Sequence, residues 1–199
     1  MTDHSNSSLI LASASPRRLD LLLQVGIKPD NIFHSKIDET AKGNESPRQL
    51  VERLATSKAR AGALQFSSSY VLGADTIVTC GRKLLGKATD EKIARIYLGL
   101  LSGRRHRVFG GICVIDPTGI ARTKTVETMV TFKKLEEREI TKYLISDEWR
   151  DKAGGYGIQG RAAAFVKKIN GSYQNVVGLP LYETVNLLIG SGYSVIPGD

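Results

Sequence analysis

Cysteine is scarce. Cys80 and Cys113 are the only two in 199 residues, far apart and each within an apolar, strand-like stretch. That argues against a disulfide-built scaffold and predicts two buried thiols. Histidine is nearly as rare, with His4, His34 and His106 alone, which argues against a structural zinc site. No apolar run approaches the ~20 residues that a membrane-spanning helix needs. No long basic run marks a nucleic-acid arm, and there is no internal repeat or low-complexity linker. The opening MTDHSNSS lacks the basic-then-apolar order of a secretion signal. Residues 1–8 are expected to be frayed, and residues 9–199 to form one soluble, cytoplasmic domain with no membrane partner.

What is present is ordinary globular material with a charge bias. At 41% apolar and 24% charged, the chain can bury a sizeable core as one compact domain or two small lobes. Lys and Arg number 28 against 20 Asp and Glu, a net charge of +8. A basic excess favours anionic partners: nucleic acid, acidic lipid or phosphorylated small molecules. The basic residues are scattered, with local pairs at Arg17/Arg18, Arg104/Arg105, Lys133/Lys134 and Lys167/Lys168. Charge alone points to phosphate without choosing its carrier, and no specific nucleic acid is expected.

Helical and strand-like stretches alternate, which predicts an α/β fold. Leu9–Ser13 reads as a buried first strand, Pro16–Gln24 as a short helix and residues 31–37 as a second strand. Ser46 and Gln49 form a capping box, with Pro47 at the first helical position, for a helix reaching about Leu64. Tyr70–Ala74 is the next strand, followed by an Ile77–Cys80 segment turning at Gly81-Arg82 into Lys83–Leu85. Asp90 caps a helix to about Leu100, and Arg107–Ile115 with Ala121–Phe132 reads as a long hairpin. Glu136–Ile145 is helical. Phe165–Ile169 and Tyr173–Val177 flank Asn170-Gly171, a hairpin signal, and a last helix runs from Pro180 to Ile189. The two hairpins favour a mixed sheet flanked by helices, with two lobes and a central cleft.

The first loop carries a conflict. Ser15 is placed to cap the helix and Pro16 suits its first position, yet Arg17 and Arg18 follow at the positive end of the helix dipole. Each exposed cation there is unfavourable by ~0.3–1 kcal/mol. A bound anion would reverse this, using backbone N–H groups, the hydroxyls of Ser13 and Ser15, and guanidinium forks. The bland alternative has both arginines on the surface, paired with nearby carboxylates.

Other polar residues are ambiguous on their own. Asp75 and Thr76 follow an apolar strand at the end that faces ligands in open α/β sheets; Asp75 is a base, a metal ligand or a loop cap. Asp38-Glu39 is similarly placed. Lys58 falls on the apolar side of its helix, where it either snorkels or reaches into a site. Lys87 follows Gly86 in a turn. The segment Gly155-Tyr-Gly-Ile-Gln-Gly160 matches the dinucleotide fingerprint literally, but no buried strand precedes it and no helix comes after it. Its glycines instead let backbone approach something closely, and Gln159 could present its amide to a base edge.

Taken in order, LILASASPRR, ESPRQLVERLATSKARAG, VLGADTIV, LLGKATD, LSGRRHRV and DKAGGYGIQGRAAAFVKKINGSYQNVVGLPLYET resemble the Maf family of nucleotide pyrophosphatases from Leu9 to about Leu188. The resemblance implies an elongated mixed α/β fold with a cleft, akin to inosine triphosphatases. It also implies metal-dependent hydrolysis between the α- and β-phosphates of a nucleoside triphosphate, with Mg²⁺ or Mn²⁺ as cofactor, and a homodimer. By motif, Ser13, Ser15, Arg17 and Arg18 would hold substrate. Glu39 and Asp75 would be the acidic pair, each a candidate metal ligand, with Asp75 the proton acceptor. Lys58 and Lys87 would neutralise phosphate charge.

Arg17 and Gln159 resemble the branch acting on dTTP, UTP and related pyrimidine nucleotides. The branch preferring 7-methyl-GTP tends to carry tryptophan and glutamate at those positions. Arg17, Thr76 and Gln159 are therefore the expected specificity set. The alternatives are the same reaction on 7-methyl-GTP or a purine triphosphate, and a non-enzymatic regulator of septum formation. Two departures stand out: Ala88 where the family commonly has proline, and Trp149-Arg150 where it often has a proline-containing pair. The second predicts a local loop change around an intact Asp151–Gly154 core.

Overall fold

The structure, a computed structural model, describes residues 8–195, so the expected fraying of the first residues lies almost wholly outside them. The elements run β1 (Leu9–Ala12), α1 (Pro16–Gln24), β2 (Asn31–Ile32), α2 (Pro47–Gln65), β3 (Tyr70–Cys80), β4 (Lys83–Leu85), α3 (Glu91–Leu101), β5 (Arg105–Ile115), β6 (Ala121–Phe132), α4 (Glu137–Ile145), a 3₁₀ turn (Arg161–Phe165), β7 (Val166–Asn170), α5 (Tyr173–Val177) and α6 (Leu181–Gly190). The sheet is mixed, in the order β2-β1-β3-β5-β6-β7 with β4 paired to β3. β1 pairs parallel with both β2 and β3, whereas β3–β4 and β6–β7 are antiparallel.

The chain forms two compact units. The first takes the chain up to Asp75, Gly110–Val126 and the chain from Gly178 onward; the second takes Thr76–Phe109 and Glu127–Val177. The long strands β3, β5 and β6 each contribute residues to both.

In the first unit, α2 lies on the sheet through Ala55 and Ala59, which join Ile10, Ala12, Val71, Cys113 and Ile115 in one buried cluster. Its start is set as the sequence predicts. Ser46 Oγ accepts from the Gln49 N–H at 3.3 Å and Gln49 Oε1 accepts from the Ser46 N–H at 3.0 Å, a cap that contributes about 1 kcal/mol. Gly73 lets helix and strand approach: a Cβ there would stand 2.3 Å from the Ala55 carbonyl oxygen and 2.6 Å from the Ala59 nitrogen. Any side chain would push α2 off β3.

In the second unit, α3 packs on α4, and His106, Phe132, Tyr143, Tyr156 and Phe165 form a chain of edge-to-face ring contacts. Asn175 is fully buried, its amide donating to the Val108 carbonyl at 3.2 Å and to Thr128 Oγ1 at 3.0 Å.

Three local expectations are corrected. Residues 31–37 do not form a full strand; pairing stops at Ile32, after which the Phe33 N–H makes a last bond to the Leu11 carbonyl at 2.9 Å. Tyr70–Cys80 is one unbroken strand, so Asp75 sits within β3 rather than beyond its end. Residues after Asn170-Gly171 form no hairpin: Ser172 Oγ accepts from the Asn175 N–H at 3.1 Å and starts α5 instead. The turn is real, but the hydroxyl just after it favours a helix.

Candidate active site

The loop from β1 to α1 folds around Ser13 and Arg18. Ser13 is buried, and its hydroxyl accepts from the Ser15 N–H at 3.2 Å and from Arg18 Nη1 at 2.7 Å. Ser15 has the extended backbone of an N-cap, with Pro16 in the first turn, but its side chain makes no capping bond. Arg17 is half-buried. Arg18 is 7% exposed and also donates to two backbone carbonyls, Nε to Gly178 at 2.9 Å and Nη1 to Ala74 at 2.8 Å. It does not lean over the surface. Burial lowers its pKa, while Asp75 and Glu39 oppose that shift. Arg18 thereby ties the loop to β3 one residue before Asp75.

Lys58 lies between the two carboxylates. Its ammonium is 2.6 Å from Asp75 Oδ1 and 2.7 Å from Glu39 Oε1. Lys58 and Asp75 are both 8% exposed, whereas the Glu39 side chain is 52% exposed. Each partner arrives by its own route. Lys58 is on the α2 face between Ala55 and Ala59, and the Gly73 contact holds that face against β3 two residues from Asp75. Glu39 comes from the β2–α2 loop, which Arg53 pins to α2 by bonding Glu45 Oε1 at 2.6 Å and the Thr40 carbonyl at 2.9 Å. The lysine is buried against the two carboxylates rather than snorkelling. Asp38 is the local cap: its carboxylate accepts from the Thr40 N–H at 2.9 Å, and hydrogen bonding from Thr40 holds its pKa below the usual range.

Ser13, Ser15, Arg17, Arg18, Glu39, Lys58 and Asp75 all belong to the first unit. The other predicted residues belong to the second. Thr76 is half-buried on β3. Lys87 is exposed, and its backbone is held by a bridge to Ala153, next to Gly154, whose N–H bonds the Leu85 and Gly86 carbonyls at 3.0 Å each. Ala88 is buried in that turn. Trp149 is buried, with its Nε1–H on the Leu144 carbonyl at 3.1 Å and the Arg150 guanidinium 4.4 Å above its ring. Gln159 is exposed in a turn closed by the Gly160 N–H on the Gly157 carbonyl at 3.2 Å.

Sequence reasoning missed the Gly178 and Ala74 carbonyls that hold Arg18. It also missed the buried hydroxyls beneath the Gln159 turn. Tyr143 Oη accepts from the Gly157 N–H at 3.0 Å, and Tyr156 Oη lies 2.8 Å from His106 Nε2. One signal was available for His106. Alternation along β5 puts it inward between the outward Arg105 and Arg107.

Residues 8–190 match the family model described as Maf-like protein. The dTTP/UTP pyrophosphatase of Agrobacterium fabrum is 51% identical over 201 residues, spanning 98% of this chain and 97% of that protein. The dTTP/UTP pyrophosphatase of Paramagnetospirillum magneticum is 54% identical over 186 residues, spanning 94% and 98%. The solved Ham1 protein of Staphylococcus aureus superposes with a TM-score of 0.44 at 14% identity, over 63% of this chain and 72% of that one.

Proposed function

This chain is a member of the Maf family, and from that premise we propose that it hydrolyses dTTP and UTP to the nucleoside monophosphate and pyrophosphate. Relatives that agree with it over nearly their whole length are named for that activity. The observation that carries the reading is Lys58 held between Glu39 and Asp75, with Arg18 tethered to the residue before Asp75. A protein that only held phosphate would gain nothing from two carboxylates there. A hydrolase needs one to take a proton from water.

The donor set suits a divalent cation. Glu39 and Asp75 present hard carboxylate oxygens around a single cationic point. Among the described residues no group of three or more His, Cys, Asp or Glu could hold a metal alone. Such a pair fits Mg²⁺ or Mn²⁺ shared with substrate phosphates. When bound, the cation supplies charge neutralisation at the phosphate oxygens.

The chain's own residues do the rest. Ser13, Ser15, Arg17 and Arg18 receive the phosphates at the start of α1, and Lys58 and Lys87 offset the negative charge that peaks in the transition state. Lys58 also orients Asp75. Asp75 accepts the proton as water oxygen bonds to the α-phosphorus. The bond from that phosphorus to the bridging oxygen breaks, and pyrophosphate leaves with the electron pair. Arg17, Thr76 and Gln159 select the base; an amide both donates and accepts, as the uracil and thymine edges require. The working protein is a cytoplasmic homodimer, a reading supported by the family resemblance. Among the described residues, no helix is long and apolar enough to cross a membrane.

The test is a panel of triphosphates ranked by kcat/KM with Mg²⁺ or Mn²⁺, following pyrophosphate release. dTTP and UTP should lead. A lead for 7-methyl-GTP or a purine triphosphate would overturn the substrate assignment, and no turnover of any triphosphate would overturn the enzyme.

A further inference from the structure

The exposed Gln159 rests on a buried framework that the reaction itself does not use. Four contacts grip the turn, two before Gln159 and two after it. Tyr143, 2% exposed on α4, accepts the Gly157 N–H at 3.0 Å. Tyr156, 5% exposed, places its hydroxyl 2.8 Å from Nε2 of His106, itself 1% exposed on β5. Beyond Gln159, Glu148 Oε2 accepts the Arg161 N–H at 2.7 Å. The same carboxylate lies so near Gly160 that a Cβ there would meet Oε2 at 2.0 Å.

The rings beneath are packed edge to face. The centroids of His106, Phe132 and Tyr156 lie 4.9 to 5.4 Å apart. Burial drives the His106 pKa down to about 4, so the imidazole is neutral at pH 7, and Nδ1 is buried with no hydrogen-bond partner among the described residues. Leaving a ring nitrogen unsatisfied is unfavourable. A phenylalanine would fill the same space without that penalty. Packing alone does not account for the histidine, and among the described residues its one polar contact is the Tyr156 hydroxyl.

We propose that His106, Tyr156 and Tyr143 are positioning residues that lock the Gly157–Gly160 turn and so set the Gln159 amide for base selection. The proposal rests on Gln159 reading the base. None of the three touches the reacting phosphates. They act by holding the turn in one conformation, so that base recognition does not have to order it. Their removal therefore weakens discrimination between bases and leaves the chemical step alone.

The test compares Tyr143→Phe, the double variant His106→Phe with Tyr156→Phe, and Gln159→Ala with the unaltered chain. Each is assayed with dTTP and dCTP, and its thermal midpoint is recorded. Tyr143→Phe should cut the dTTP-over-dCTP ratio of kcat/KM roughly tenfold, the scale of one hydrogen bond. The loss should fall in KM, with kcat held within about twofold. Amide exchange at Gly157 should quicken. The double variant removes both partners of a buried bond, so its midpoint should stay near that of the unaltered chain while its selectivity falls. A merely structural role predicts the reverse: a lowered midpoint with selectivity intact. Selectivity unchanged in the framework variants but lost in Gln159→Ala overturns the framework and leaves the base assignment standing. Selectivity unchanged in all of them overturns the base assignment, and the framework with it.

Discussion

The two units bury different kinds of polar group. Every carboxylate, lysine or arginine buried among the described residues lies in the first: Arg18, Lys58, Asp75 and Asp116. The buried polar residues of the second, Thr79, His106, Thr128 and Asn175, carry no charge at neutral pH. Overall charge runs the other way. Among the described residues the first unit holds 11 Lys and Arg against 9 Asp and Glu, and the second 17 against 9. Most of the excess of basic residues therefore belongs to the unit with the neutral interior. Buried charge needs partners at short range, and in the first unit Lys58 has Asp75 and Glu39 while Asp116 has Arg122. The second keeps its excess cations at the surface, where they favour an anion without having to be paired.

The sharpest break in that contrast is Asp75→Asn. Removing the proton acceptor should lower kcat/KM by about 10²–10⁴-fold, measured by pyrophosphate release, with the fold checked by circular dichroism. Full activity would end the base assignment.

Acid should separate the units next. His106 has a pKa lowered by burial from 6.5 to about 4, so the unfolded chain binds its proton first. Stability is complete above pH 6.5 and declines as pH falls to about 4, by up to about 3 kcal/mol. Asp116 acts lower down. Burial raises its pKa, but hydrogen bonds from Thr118, Arg122 and Ile120 outweigh that and bring it from 3.8 to about 2. Its stabilisation is present above pH 3.8 and is lost as pH falls towards 2. Urea unfolding against pH should resolve both windows, and His106→Phe should flatten the upper one alone.

Gly73→Ala should come third. Its methyl meets the helix backbone, so stability should drop by about 1–3 kcal/mol, and activity should fall with the Lys58–Asp75 geometry. A urea midpoint equal to that of the unaltered chain would show that α2 yields freely. Arg17→Trp is the gentlest change: it should alter the ranking of nucleotides more than the total rate. An unchanged ranking would make Arg17 a phosphate ligand only.

Much of the first unit was legible because its signals are local. The Ser46–Gln49 capping box and Pro47 fix the start of α2, and periodicity then places Lys58 inward. Asp75 was misplaced because a carboxylate inside an apolar run reads as the run's end. Lys58, 17 residues away, makes it tolerable within the strand. Asn170-Gly171 encodes a turn but not the element after it, and Ser172 decides that. The tyrosine and histidine framework was out of reach because each of its hydrogen bonds joins separate elements, across 14 residues for Tyr143 and 50 for His106. The hydroxyl that meets a given backbone group is set by packing rather than by any local motif.

The ends of the sheet have a consequence of their own. At one end β2 is only two residues long, and at the other β7 carries Lys167 and Lys168, both exposed. A long, flat, uncharged margin would template the addition of further strands from other copies. Here one margin is too short to extend, and the other places like charges where a second copy's β7 would have to lie. Both margins therefore disfavour strand addition between copies, and the lysines that help make the chain basic also set like charge against like at that edge.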